Sequence, residues 1–327
     1  SETGVTEFVA IDNGWKANPE QAGQYALGAN ALELSIPLAA LGELSAGDDI
    51  RVVVVSQPGG NVLPVSGPAQ IVLPDLGLSD LVLEVADPAS DDHGPGTYTY
   101  PTDAVFSAQN FDIETFTVAT DPSNVIFTFK FYGEVPNPWG SGSNLSLQTL
   151  DVYIDKDPGQ GTGNRLLLPG RNAALSNGNG WEFAVWAEGW TPGIFAPDPE
   201  TGEPKAVNLS YKLIVNPAQK TVTLRVPKEA FGEGDPAQWG YAAVVLSQDG
   251  FPSTGVWRVR DIQESNAQWK FGGAPDDVNH TRIIDIAWSV DVPVTQEEML
   301  STYPASSGPV DTLTADDFGQ IELLVLQ

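Results

Sequence analysis

Aspartates recur in this sequence at spacings that suit a hard cation. Asp87, Asp91, Asp92 and Asp103 share one stretch broken by Gly94, Pro95 and Gly96, a turning loop on which several carboxylates can converge. Two unit charges ~4 Å apart at an effective dielectric of about 20 interact by roughly 4 kcal/mol, so crowded carboxylates favour a shared divalent cation over empty repulsion. Asp112 in FDI, with Asp151 and Asp155 in DVYID, extends the set, because residues four apart on a strand project from one face. Calcium, a ligand of oxygen donors, is the expected ion. The competing reading is a solvated loop whose aspartates cap turns. Asp155, Asp157 and Gly159 read equally as a plain Asp-Pro-Gly turn, since DKDPGQGTGN lacks the closing glutamate of an EF-hand.

A second group suits a sugar. Trp139 in NPWG, and Trp186 and Trp190 flanking Ala187, Glu188 and Gly189, are set among turn residues. A flat indole meets the apolar face of a pyranose ring, and amide or guanidinium groups meet its hydroxyls. Asn137, Gln148, Arg171 and Asn172 supply those groups, giving a candidate carbohydrate site of Asn137, Trp139, Gln148, Arg171, Asn172, Trp186 and Trp190. The alternative is structural: nine tryptophans fill core space well, and Arg171 is equally able to pair with the acidic loop in place of calcium.

Other chemistries fit poorly. With 15 Lys and Arg against 43 Asp and Glu, the formal net charge of -28 repels polyphosphates, so nucleic acid is a poor partner. The absence of cysteine removes disulfides, thiolate metal sites and cysteine nucleophiles. His93 and His280, the two histidines, are not near a Gly-x-Ser-x-Gly elbow. Haem ligation by a histidine with Met299 places one ligand in a helix-like tail. GQGTGN at 159–164 lacks the Lys-Ser/Thr of a phosphate loop. Paired carboxylates suffice for glycoside hydrolysis, but the acidic residues sit mainly in turns and no barrel or toroid pattern is present, so no catalytic residue is assigned. No apolar run approaches the ~20 residues of a membrane helix, and no signal peptide precedes the polar opening at Ser1.

The elements that would position these residues are strands. Val125, Phe127, Phe129 and Phe131 alternate with Ile126, Thr128, Lys130 and Tyr132, the signature of a strand with one buried face. With 33 Gly and 26 Pro as punctuation, an antiparallel β-sandwich is expected. One helix is expected at TQEEMLSTY, with Thr295 as N-cap and Glu298 closing a capping box.

The chain also repeats itself. EFVAIDNGW at Glu7–Trp15 matches EFAVWAEGW at Glu182–Trp190, and ALELSIPLAALG at 31–42 matches TVTLRVPKEAFG at 221–232, each a strand that stops at proline and turns through a short helical segment. The strands that follow both end in Ser-Gln, at Gln57 and Gln248. Residues 1–78 therefore read as the C-terminal half of a related sandwich, 79–305 as a complete module, and 306–327 as an extension packing on it. Half a sandwich exposes edge strands that need a partner: the second unit, a neighbouring chain or upstream sequence.

From Asp87 the sequence runs DPASDDHGPGTYTYPTDAVF, FDIETFTV, NPWG, LQTLDVYIDKDPGQGTGNRLLLPGRNA, GWEFAVWAEGW, NHTRIIDIAW and QEEMLSTY. This order of motifs, over about residues 80–305, resembles the C-terminal module of glucodextranases, which also occurs on pullulanase-type α-glucan hydrolases. The resemblance implies a carbohydrate-binding-module or DOMON-like β-sandwich, related to family 9 carbohydrate-binding modules. It further implies a non-catalytic carbohydrate-binding or cell-surface-attachment module, its partner a polysaccharide (α-glucan or cell-wall glycan), outside the cell or at its surface and linked to an upstream hydrolase domain; the acidic loops add the expectation of stabilisation by calcium. The rival expectation is a surface-layer or filament protein assembled by edge pairing of strands.

Overall fold

A computed structural model describes residues 7–11, 14–18, 24–27, 32–35, 49–52, 54–55, 62–63, 69–72, 79–289 and 291–326. The chain divides into two compact units, Ser1–Leu78 and Ser79–Gln327.

In the first unit the described strands pair antiparallel: β1 (Glu7–Ile11) with β2 (Gly14–Asn18), and β3 (Gln24–Leu27) with β4 (Leu32–Ser35). Further on, β5 (Asp49–Val52) pairs with β8 (Ala69–Val72), and β6 (Val54–Val55) with β7 (Val62–Leu63). The short helical segment expected after Pro37 and the Ser56-Gln57 pair lie outside the described residues.

The second unit is an all-β sandwich. Its strands are β9 (Asp80–Ala86), β10 (Ile113–Thr120), β11 (Asn124–Phe131), β12 (Gln148–Asp155), β13 (Ala173–Leu175), β14 (Phe183–Ala187) and β15 (Gly193–Pro197). They continue with β16 (Pro204–Ala206), β17 (Lys212–Asn216), β18 (Thr221–Pro227), β19 (Gly240–Ser247), β20 (Asp285–Ile286), β21 (Gly319–Ile321) and β22 (Leu324–Val325). One sheet runs β17-β18-β11-β10-β9; the other runs β16-β15-β14-β12-β19-β20, with β22 also pairing β19.

Alternation in β11 does what its pattern requires. Val125, Phe127, Phe129 and Phe131 are fully buried while Thr128 and Lys130 are half-exposed; Ile126, on the second face, is buried as well, so the alternation holds only from Phe127 on. Phe127 meets Tyr241 of β19 at 6.1 Å between ring centroids, so the two sheets interlock through aromatic contacts. Each such ring withdrawn from water contributes roughly 1.5–3 kcal/mol. Strands β12 and β19 are buried along their whole length. Leu150, Val152 and Ile154 of β12 share a face with Val245, Ala243 and Tyr241 of β19, and Tyr241 turns that face toward the first sheet. The opposite face carries Asp151 and Tyr153, with Trp181 against Tyr153 at 5.9 Å. Asp151 is thereby committed to a dry interior.

Helix α1 (Gln296–Ser301) has the expected capping box, with the Thr295 side chain accepting from the Glu298 N–H and the Glu298 side chain accepting from Thr295 N–H. The last residues add strand edges: β21 pairs in parallel with β13, and β22 lies against the start of β19.

Candidate functional site

Four carboxylates meet where the two sheets approach at one side. Asp87 follows β9, Asp91 lies on the next loop, Asp112 precedes β10 and Asp285 belongs to β20; one oxygen from each lies within 4.8 Å of the others. Backbone N–H groups hold the far side of the set: Trp288 N–H donates to Asp87 Oδ1 (2.6 Å), Ser90 N–H to Asp112 Oδ2 (2.8 Å) and Ile113 N–H to Asp285 Oδ2 (2.7 Å). Asp285 Oδ1 accepts from Ile286 N–H (3.0 Å), whereas Asp87 Oδ2, Asp91 Oδ1 and Asp112 Oδ1 are buried without a hydrogen-bond partner among the described residues. All-oxygen, anionic donors at this spacing fit a hard divalent cation.

Burial first, and then neighbouring carboxylates, push these acids up: Asp87 to about 9, Asp91 to about 7, and Asp285 well above the usual range. Asp112 rises to about 6, chiefly through burial. The folded, metal-free protein therefore holds protons that the unfolded chain has released. That contribution to stability is complete below the unfolded value of 3.8 and is lost as pH climbs through 6, 7 and 9. In chelator, thermal unfolding midpoints are expected to fall from pH 5 to pH 9; a midpoint that rises over that range contradicts this electrostatic picture.

The other expected acids stand elsewhere. Asp92 accepts from Tyr100 Oη beside the cluster. Asp103 is tied to Val105 N–H and Gln268 Nε2, away from it. Asp155 joins Asp157 and Glu182 in a second acidic group, but its oxygens already accept from Asp157 N–H and Gly180 N–H. Asp151 is not brought to the cluster. Its Oδ2 and Oδ1 accept from Arg171 Nε (2.7 Å) and Nη2 (3.0 Å), and Tyr153 Oη donates to Oδ2 (2.9 Å). Arg171 Nη1 meanwhile donates to the carbonyls of Pro169 and Trp257. The sequence raised Arg171 both as a sugar contact and as a partner for the acidic loop. The geometry makes it a wholly buried partner of Asp151.

A groove opens at one end of the sandwich. Strand β12 starts at Gln148, opposite the end of β19 at Ser247, and its Leu150 faces the end of β14 at Ala187. The loops before β12, after β14 and after β19 therefore emerge together. They bring Trp139, Trp190, Gln248, Asp249, Phe251 and Trp269 around a cavity of about 580 Å³. Trp139, Trp190 and Trp269 are 37%, 42% and 39% exposed, and Phe251 is 95% exposed, whereas most large apolar side chains among the described residues are buried.

The indoles are held, not loose. Trp139 and Trp269 lie 6.3 Å apart and both rest edge-on against Phe106, at 6.3 and 6.1 Å. Arg260 sits beneath, its guanidinium 5.2 Å from the Phe106 ring centre and 5.7 Å from that of Trp139. It is anchored by donation to Ser247 Oγ and to the carbonyls of Gln248 and Trp269. Trp190 is positioned by the buried Glu188, whose Oε1 accepts from Trp190 N–H (3.0 Å) and Thr191 Oγ1 (2.8 Å), and by Arg258 over its ring. Gly189 is required in the repeated Gly-Trp pair, because a Cβ there would lie 2.1 Å from the Leu145 carbonyl oxygen. Only hydrogen lets the two loops touch. At the floor Gln248 Nε2 is buried and has no partner among the described residues, while Lys270 and Asp249 pair at 3.3 Å.

Of the residues expected to contact sugar, the groove gathers Trp139 and Trp190. Asn137 closes the turn that carries Trp139 by accepting from Ser141 N–H and donating to Ser141 O. Gln148 is buried and donates to Asn110 O, and Asn172 donates to His280 O and Val278 O. Trp186 is buried between Arg171 and Trp257. Trp269, Gln248 and Phe251 were missed on the groove and Asp285 in the cluster. Phe251, in Asp-Gly-Phe-Pro, carried a usable signal: a large apolar residue among turn formers.

Among curated proteins none matches the sequence. The profile of the family described as C-terminal binding-module, SLH-like, of glucodextranase matches residues 82–315. That span holds the acidic cluster and the aromatic groove and is most of the chain, so the protein belongs to the family of C-terminal, SLH-like binding modules of glucodextranase.

Proposed function

We propose that this chain is a non-catalytic module that binds a neutral polysaccharide in the groove of Trp139, Trp190 and Trp269. Its role is to hold a linked glycan-degrading domain close to substrate at the cell surface or outside the cell. The observation that carries this reading is the groove's composition: three partly exposed, braced indoles beside the unpartnered buried amide donor of Gln248. Stacking faces for the apolar side of sugar rings and a fixed donor for a hydroxyl are the two things a pyranose chain needs. Bracing by Phe106 and Arg260 keeps the ordering cost of binding low.

Neutral glycan is favoured over charged polymer by electrostatics. The net charge of -28 repels polyanions at long range, and in the groove the Lys270 ammonium is already matched by Asp249. An α-glucan fits the family to which the chain belongs. Tethering to such a polymer raises the effective concentration of an attached hydrolase without chemistry by the module.

Calorimetric titration of the intact chain against pullulan, dextran, starch and cell-wall polysaccharide, with reducing ends assayed after each run, tests the proposal. Heat of binding to a neutral glycan with no new reducing ends is expected. Silence against every glycan, or release of sugar, contradicts it.

A further inference from the structure

We propose that Asp87, Asp91, Asp112 and Asp285 form a calcium site that staples the two sheets of the sandwich together at one side. The acids come from three stretches of the chain: Asp87 and Asp91 in the loop after β9, Asp112 just before β10, and Asp285 on β20. Asp87 and Asp112 flank the facing ends of β9 and β10 in the first sheet, β9 being its edge. Asp285 lies on β20 at the far end of the second. An ion held by all of them would join one sheet's edge to the other's, reinforcing the bond from Ile113 N–H of β10 to Asp285 Oδ2 of β20.

Crowding of acids alone does not make a site; the unpartnered oxygens do. Asp112 is fully buried and Asp87 nearly so, yet Asp112 Oδ1 and Asp87 Oδ2, together with Asp91 Oδ1, have no donor. Each carboxylate of Asp87 and Asp112 accepts at its other oxygen from a backbone N–H, which fixes the rotamers and leaves the second oxygen of each for a ligand. A buried acceptor without a donor costs about 1–3 kcal/mol, and more when charged. The leading charges acting on Asp87, Asp91 and Asp285 are those of neighbouring carboxylates, with His93 a minor opposing charge at Asp112. A cation at the centre satisfies all three oxygens at once.

The chemistry selects calcium. Two ligands on opposite sides of a calcium ion are about 4.6–5.2 Å apart, from bonds of roughly 2.3–2.6 Å, and the four oxygens lie within 4.8 Å of one another. Magnesium keeps several of its waters and demands a tight octahedron, whereas Asp112 and Asp285 are wholly shielded from solvent. The loop carrying Asp91 is held from outside by Gln296, whose Nε2 donates to Asp91 O and whose Oε1 accepts from Ile286 N–H. The cage is therefore braced on the helix side by Gln296.

The test compares the intact chain with Asp91→Asn and Asp112→Asn by thermal unfolding in chelator, in calcium and in magnesium, alongside metal analysis after dialysis. Calcium in about hundredfold excess over its dissociation constant is expected to raise the wild-type midpoint by roughly 5–10 °C over chelator, magnesium by much less. Both variants are expected to lose most of that shift and to melt above wild type in chelator, since an amide removes repulsion. This reversal separates loss of an ion from simple damage to the fold. Glu182→Gln, in the second acidic group, is expected to keep the full calcium shift. No calcium shift in wild type, an unchanged shift in both aspartate variants, or a larger response to magnesium overturns the proposal.

Discussion

Arg171→Met is expected to melt about 6–20 °C below the wild-type protein, the consequence of roughly 3–5 kcal/mol lost when one partner of a buried ion pair is removed. The size of the effect follows from what is left behind. Asp151 sits in the middle of β12, fully buried, and draws both oxygens' hydrogen bonds from Arg171 apart from one donated by Tyr153. Without the guanidinium its charge has no counterpart, and the carbonyls of Pro169 and Trp257 lose their donor as well. Replacing both members, Asp151→Leu with Arg171→Met, is expected to recover most of the loss, because the desolvation of two charges disappears with them. Thermal unfolding of the two variants checks this; a double variant no better than the single one would show that the pair's charges are not what matters.

The second large effect concerns binding. Trp139→Ala and Trp269→Ala are each expected to weaken glycan affinity by about 30-fold, the ~2 kcal/mol typical of a central aromatic contact, and the double variant to bind below detection. Both rings are more than a third exposed, so the fold is expected to survive their removal with a midpoint within a few degrees of wild type. Asn137→Ala, by contrast, reaches glycan only through the turn it closes. Calorimetry on the same glycan reads all three, and full affinity in the double tryptophan variant would place the site elsewhere on the molecule.

Much of this architecture is written in local pattern. Alternation in Val125–Tyr132 shows its buried face because a strand has a period of two, and the Thr295–Glu298 box announces α1 because both partners lie within one turn. The family likeness, read over about residues 80–305 from long motifs, agrees with the profile match over 82–315. The sites are a different matter. Asp87, Asp91 and Asp112 sit close in sequence to one another, and their convergence was legible; Asp285 comes from nearly two hundred residues away, in an apolar run that reads as an ordinary strand. Asp151 was counted with them from its spacing to Asp155. Spacing gives the face of a strand but not what packs on that face, and here it is Arg171 from a loop beyond β12.

The tryptophans divide in the same way. Trp186 and Trp190 are four residues apart with turn formers beside both, yet one is buried in β14 and the other lines the groove. The distinction rests on Trp257 and Arg171 closing over Trp186, contacts that arise only when distant loops fold together. Trp269 and Gln248 are assembled into the groove by the same long-range closure.

The most direct test of the central claim is electrophoresis of the intact chain through gels containing a neutral α-glucan, wild type beside the Trp139→Ala/Trp269→Ala protein. Retarded wild type and freely migrating variant is the predicted pair of results. Wild type that migrates as it does in a glycan-free gel, or a variant retarded as strongly as wild type, would contradict the account.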